Sequence, residues 1–378
     1  MRAGPVAALA VGRAKRRTGP LAKLHDDAMS MSTFGVHRAL ASGVSWLLRS
    51  RNEHGWWQDF DIAGPSDEWV TGFVGAALSE VPSAAVDTAV AGAWRRLARR
   101  RWWSAGWGYN VFVPSDADST VWALRLAQGA GVGRSLRVRR TLAFLARHQG
   151  PSGGIATFAE RSAISKFIAV PSHIRLTGWS AEHVCVSAVA AAVLPDFYRQ
   201  RILGFLRTRQ RLDGSWTPYW WSDDEYATAV VVEALRMAPQ SSDEVRIDAA
   251  AAWALGRLGQ DGSVRTTLAP EGSPFATAFA LRVLLAAEPS PQITAAVGSA
   301  IYWLSQSQRS DGRWPSSARM RVPPPNVIDP STVAWGIGGT GAGSVGNVVV
   351  DQNGIFTTAA VVVALAKACG SAALLPSA

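Results

Sequence analysis

The chain has 378 residues, of which 48% are hydrophobic and only 17% charged, enough apolar material for a sizeable buried core. With no apolar run near the roughly 18 residues of a membrane span, and none of the compositional biases of disordered or collagen-like chains, it reads as a folded globular protein. The formal net charge of +10 sits mainly in three arginine-rich runs, 95–101, 134–140 and 199–211, which alternate with apolar positions at helical spacing. Such runs form solvated basic helix faces; peripheral contact with an anionic membrane stays open, and no nucleic-acid-binding module is present.

In chain order, residues 1–35 read as a flexible basic tail, in which the cluster Arg13 to Arg17 follows the short apolar patch, the reverse of a secretory signal. Two cysteines, Cys185 and Cys369, cannot make a disulfide framework, and the six histidines lack metal-site spacing. A cytoplasmic protein without structural zinc is expected.

From residue 36 onward the 17 tryptophans mark a repeat. An aromatic residue stands nine positions ahead of a turn glycine in Trp46/Gly55, Phe144/Gly153, Phe205/Gly214, Trp253/Gly262 and Trp303/Gly312. Trp94/Gly106 fits with a three-residue insertion. Successive glycines are 51, 47, 61, 48 and 50 residues apart, the period of a repeat architecture. Each unit pairs an amphipathic helix with a turn such as Arg211-Leu-Asp-Gly-Ser-Trp216 and then a far more apolar helix, starting near Glu68, Asp118, Glu182, Glu225, Phe275 and Phe356. Six buried helices inside six amphipathic ones predict an all-α (α/α)6 toroid over 36–372, followed by a tail, 373–378. The aromatics ahead of the turns are expected to wedge between units, and the Gly-rich stretch Gly336 to Gly346 to form a loop at the barrel mouth.

The second unit concentrates chemistry. Gly106-Trp-Gly-Tyr-Asn-Val-Phe-Val-Pro114 is followed by Asp116-Ala-Asp118-Ser-Thr120, two carboxylates at the start of a buried helix. This run and the repeats together resemble the squalene-hopene cyclase and class II terpene cyclase family, with its Gln-Trp repeats and its DxDD-Thr motif. The run departs from DxDD at Ser119, and one extra residue separates Pro114 from Asp116. The resemblance implies that Asp118 is the acid that protonates a terminal alkene of a linear isoprenoid, with Asp116 as its partner. It implies no redox cofactor, and magnesium only for a diphosphate substrate.

The next inner helix offers His183, which could donate to Asp118 and hold its proton in position. The developing cation needs π faces, for which Trp69, Trp122, Trp179, Trp220, Trp221, Tyr226, Phe275 and Phe356 are candidates. Arg161, Lys166 and Arg175 could hold a diphosphate. Two other readings stay open: a prenyl-binding toroid without chemistry, closed by a second copy or a partner protein, and a carbohydrate-active (α/α)6 enzyme using Asp118 with Glu225. Zinc ligation by His183 and Cys185 is disfavoured, because residues two apart on a helix point to different faces.

Overall fold

The computed structural model describes residues 20–159, 162–168, 171 and 173–372. The outer helices are α1 (Pro20–Arg49), α3 (Ala84–Arg100), α5 (Leu136–Ala146), α8 (Asp196–Arg207), α10 (Asp243–Arg257) and α12 (Pro291–Gln306). They alternate with inner helices α2 (Asp67–Leu78), α4 (Ala117–Gly129), α7 (Val184–Ala191), α9 (Asp224–Met237), α11 (Pro274–Ala286) and α13 (Ile355–Ala372), and a single turn, α6 (Ile164–Phe167), precedes α7. The inner ring closes, with α2 packed on α4, α4 on α7, and so on through α13 back to α2. Every residue of α2 is buried, whereas α3 buries one stripe through Val86, Val90, Ala93 and Leu97 and leaves Arg95 and Arg99 exposed.

The repeat motif explains the ring physically. Gly214 has a φ of 92°, which favours glycine, and a Cβ there would lie 2.3 Å from the Ala249 carbonyl oxygen of the next outer helix. Gly312, at φ 102°, packs in the same way against Ser42 of α1, so the last unit locks onto the first. The motif glutamines carry the same bond: Gln149, Gln210 and Gln308 donate to the backbone carbonyls of Tyr198, Arg246 and Ala39 in the next outer helix. Phe144, Phe205, Trp303 and Trp46 lie against the turns of the neighbouring unit, at Gly106, Gly154, Gly272 and Gly312, as wedges should. The deepest side chains are instead the tryptophans just after the turns, Trp57, Trp107, Trp216 and Trp314. Each donates its indole N–H to a carbonyl of its own outer helix.

Between α12 and α13 the chain makes a feature the periodicity does not announce. Strands β1 (Arg319–Arg321), β2 (Gly336–Ile337) and β3 (Asn347–Val350) form a small sheet in the order β1-β3-β2, antiparallel then parallel. The Gly336 to Gly346 stretch therefore contributes a strand and a 3-10 turn to this sheet. The segment lies across the N-terminal ends of the inner helices. It bonds to Ile62 before α2, to Gly178 and Trp179 before α7, to Trp220 and Ser222 before α9, and to Phe275 in α11. That end of the barrel is closed by the chain itself.

Candidate active site

The loop that delivers Asp118 is held by one side chain. Arg101 is buried and pairs with Glu68 at 2.8 Å. Its remaining donors go to the Ser115 hydroxyl and to the carbonyls of Asn110 and Val113. Glu68 also accepts from the Gly108 backbone at 3.3 Å. A planar, permanently charged fork with five N–H groups suits this task, and Glu68 is a loop anchor. Thr120 then fixes the helix register, accepting from Trp107 N at 3.0 Å. Thr71, Thr228 and Thr358 do the same for Trp57, Trp216 and Trp314, so the threonine of the acidic motif is a repeat feature.

Asp116 is the N-cap of α4. It accepts from Ser119 N at 2.7 Å and from the Ser119 hydroxyl at 2.8 Å, which explains why a serine fits where a third acid would repel. Burial pushes the Asp116 carboxyl up to about 7 despite these bonds. Asp118, one position into the helix, makes no hydrogen bond among the described residues that satisfies ordinary geometry. Burial first, and the neighbouring Asp116 charge second, push it up to about 8. The Trp69 indole N–H, buried and otherwise unpartnered, opposes this shift. Burial first, and the nearby Asp118 second, raise Cys185 of α7 and Tyr226 of α9. The direction of the Asp118 shift favours its protonated form.

The expected bond from His183 to Asp118 is not formed. His183 caps α7 with both ring nitrogens engaged, Nδ1 with the Thr157 hydroxyl at 2.7 Å and Nε2 with the Gly178 carbonyl at 2.9 Å. The Trp220 indole donates to Thr157 at 2.8 Å, and the imidazole stacks on Tyr219 at 3.8 Å. Burial lowers its pKa to about 3, so it is a neutral structural group.

The aromatic candidates divide in two. Trp69, Trp122, Trp221, Tyr226, Phe275 and Phe356 form one continuous cluster with Phe60, Phe73 and Phe279, centred on a Phe73–Phe356 stack at 3.7 Å. Trp179 and Trp220 belong instead to the separate group around His183. Arg161 lies outside the described residues, and Lys166 and Arg175 do not line the lumen. Glu225 is tied to Arg257 at 2.6 Å, which leaves it no role as a second catalytic carboxylate opposite Asp118. Among the described residues no three potential ligands gather for a metal.

A cavity of about 700 Å³ occupies the lumen and opens between the C-terminal turns of the inner helices. Its size suits a ligand of ordinary small-molecule dimensions. Phe73 and Trp122 form its inner end, and Asp118 lies one turn further in on the face of α4 that carries Trp122. Residues at i, i+4 and i+7 share a helix face, and those stripes run in the same order on several inner helices. Asp118, Trp122, Arg125 on α4 and Tyr226, Val230, Glu233 on α9 follow this spacing; Phe356, Val363, Lys367 on α13 share a face at i, i+7 and i+11, and Trp69 and Phe73 of α2 are followed by Glu80 just past the end of that helix. Acid and aromatic groups sit at the closed end, small apolar groups in the middle, and ionised groups at the open rim. The rim charges are a signal that sequence reasoning passed over, although the spacing was there to find.

Comparison with known proteins fits this geometry. Residues 185–326 match the family model of the squalene-hopene cyclase C-terminal domain. No curated protein matches the chain. Among solved structures, the type II terpene cyclase MstE from Scytonema, in complex with its substrate geranylgeranyl dihydroxybenzoate, is 42% identical with a TM-score of 0.86, covering 90% of this chain and 99% of that one. A protein from Actinoplanes is 40% identical with a TM-score of 0.83, covering 88% and 99%. The ent-copalyl diphosphate synthase from Streptomyces platensis, 19% identical with a TM-score of 0.54 over 80% of this chain and half of its own, shares the fold. With an acid-bearing aromatic lumen inside a single closed toroid, and a relative of that identity matched over nearly its whole length, the chain belongs to the type II terpene cyclases, enzymes of proton-initiated cyclisation.

Proposed function

We propose that this enzyme cyclises a linear isoprenoid, with Asp118 protonating the terminal alkene. The π electrons of the terminal double bond take the Asp118 proton and leave a tertiary cation on the adjacent carbon. Internal double bonds then attack in turn, and the last cation loses a proton to a base or captures water. Asp116 acts as a positioning residue that keeps the Asp118 proton on by its charge. Trp69, Phe73, Trp122 and Phe356 offer π faces to the cation in a water-poor site. For the terminal isoprene unit to reach Asp118, the Phe73–Phe356 stack must part.

What supports this reading is the place of the Asp118 carboxyl, at the inner end of the lumen beside the aromatic cluster of Trp69 and Trp122, with burial and the Asp116 charge pushing it up to about 8. The similarity to MstE, whose complex holds geranylgeranyl dihydroxybenzoate, supports a prenylated substrate of that general size. Proton-initiated cyclisation needs no redox cofactor. Incubation with farnesyl, geranylgeranyl and squalene-type substrates, followed by mass spectrometry, tests it. Cyclised isomers formed by the wild type and absent with Asp118→Asn are expected, and recovery of every substrate unchanged would refute the proposal.

A further inference from the structure

A second cavity, of about 950 Å³, lies apart from the lumen and shares none of the residues that line it. The start of α9, the end of α10, the turn at 265–270 before α11 and the small sheet form its walls. Most of the charges there cancel within the protein. Arg211 takes Asp224 at 2.9 Å and Asp213 at 3.4 Å, Arg257 takes Glu225 at 2.6 Å, and Arg265 takes Asp261 at 2.6 Å. Two ionisable groups of the wall are left over, Asp223 and Arg319, only 6% and 3% exposed. Each feels the other's charge, yet no ion pair joins them among the described residues. Asp223 precedes α9 without capping it, and its Oδ2 is buried with no hydrogen-bond partner there. Arg319 spends one N–H on the Thr266 hydroxyl at 2.6 Å, while its Nε, like the Ser222 Oγ next to Asp223, is buried and unpartnered. Eight such side-chain atoms occur among the described residues, and three of them gather on this one wall, which sets it apart from scattered packing defects. A buried donor or acceptor is costly to leave unbonded, so an acceptor, a donor and a hydroxyl side by side call for one ligand that serves all three.

We infer that this cavity binds a zwitterionic α-amino acid with an apolar side chain, its ammonium on Asp223 and Ser222 and its carboxylate on Arg319. A simple anion would serve Arg319 but face the Asp223 carboxylate, and a simple cation would do the reverse. An amino acid carries both charges on one carbon and meets both demands. Its side chain lies toward Leu268, Trp335 and Ile337, which line the cavity nearer solvent; Leu268 and Ile337 are 40% and 69% exposed. Burial and the Glu225 charge push the Asp223 carboxyl up to about 7. An ammonium beside it lowers that value, so binding at about pH 6 releases protons.

Isothermal titration calorimetry of the full chain tests this with L-tryptophan and L-leucine, each compared with its decarboxylated amine and its deaminated acid. At least one amino acid should bind one-to-one, about ten- to a hundredfold tighter than the two compounds that lack a charge, the range of one charge-assisted bond. Asp223→Asn should erase the advantage over the deaminated acid, and Arg319→Gln the advantage over the amine; either result decides the matter if the other variant fails to fold. A series of buffers differing in ionisation enthalpy should report proton release at about pH 6. Binding without that release, equal affinity of amino acid, amine and acid, or no binding of either amino acid at millimolar concentration would overturn the inference. None of these outcomes touches the cyclase reading, because the two cavities have no residue in common.

Discussion

Replacing Asp118 by Asn should give a protein that is inactive yet more stable, and the two effects share one cause. The carboxyl titrates at about 8 in the folded protein against 3.8 in a free chain. Between those values the folded state holds a proton that the unfolded state has released, so the group opposes folding increasingly as pH rises through the window. At pH 7 the gap is about three pH units, at most about 4 kcal/mol at roughly 1.4 kcal/mol per unit. For a domain of this size, with an unfolding entropy of about 0.7 kcal/mol per degree, that amounts to about 5 °C in Tm. Asn cannot ionise and is free of this penalty, while a carboxamide is far too weak an acid to protonate an alkene. Differential scanning calorimetry from pH 5 to 9 should show the Asp118→Asn variant gaining over wild type as pH rises and converging with it toward pH 4. Wild-type kcat should be flat below about pH 7 and fall about tenfold per unit above 8, as the acid form is lost. A folded variant that still forms product, or one whose Tm difference is unchanged across this range, would refute the assignment.

Three further substitutions test the supporting structure. Arg101→Met removes the nearer of the two cations on buried Glu68 and should cost about 3 kcal/mol in urea unfolding, and Arg101→Lys should recover only part of it; a Lys variant equal to wild type would show that the fork is unnecessary. His183→Gln should lower stability by about 2 kcal/mol through lost hydrogen bonds and leave the alkaline limb of the kcat profile in place, whereas a shift of that limb by a full unit would restore His183 to the acid's environment. Asp59 caps α13 through Asn353 N and Phe356 N at 2.6 and 2.7 Å, so Asp59→Ala should cost about 2 kcal/mol and speed hydrogen exchange at Phe356. Unchanged exchange there would mean that the ring closes without this clasp.

The repeat and the acid were legible in the sequence because both are local. Glycine at the turn, aromatic nine residues before it and tryptophan two after it are all fixed by a single unit's backbone, and Asp116 and Asp118 share one helix start. Contacts that join distant units were not legible. Asp59 meets α13 across nearly the whole chain, and no spacing within either segment announces it. His183 showed the same limit in reverse: position near a helix start suggested Asp118 as its partner, but the Gly178 carbonyl and Thr157 are closer in space and satisfy both nitrogens. Trp179 and Trp220 were grouped with the lumen aromatics on residue type alone, and only the path of the 319–350 segment, which takes the Trp179 indole N–H at Pro323, explains why they turn away.

That segment also bears on how the acid's end of the barrel is covered. A proton donor for an alkene has to be dry, since water near it would lower the acid's pKa and quench the cation. In a bare ring the N-terminal ends of the inner helices would leave the Asp118 end open. Here the sheet between α12 and α13 spans those ends, with hydrogen bonds from Gly341 to Ile62 on one side and from Gly178 to Pro325 on the other. The opposite end stays open, and there the stripes of α4, α9, α11 and α13 finish in Arg125, Glu233, Arg282 and Lys367. Closure at one mouth and ionised groups at the other give the lumen a polarity along its axis.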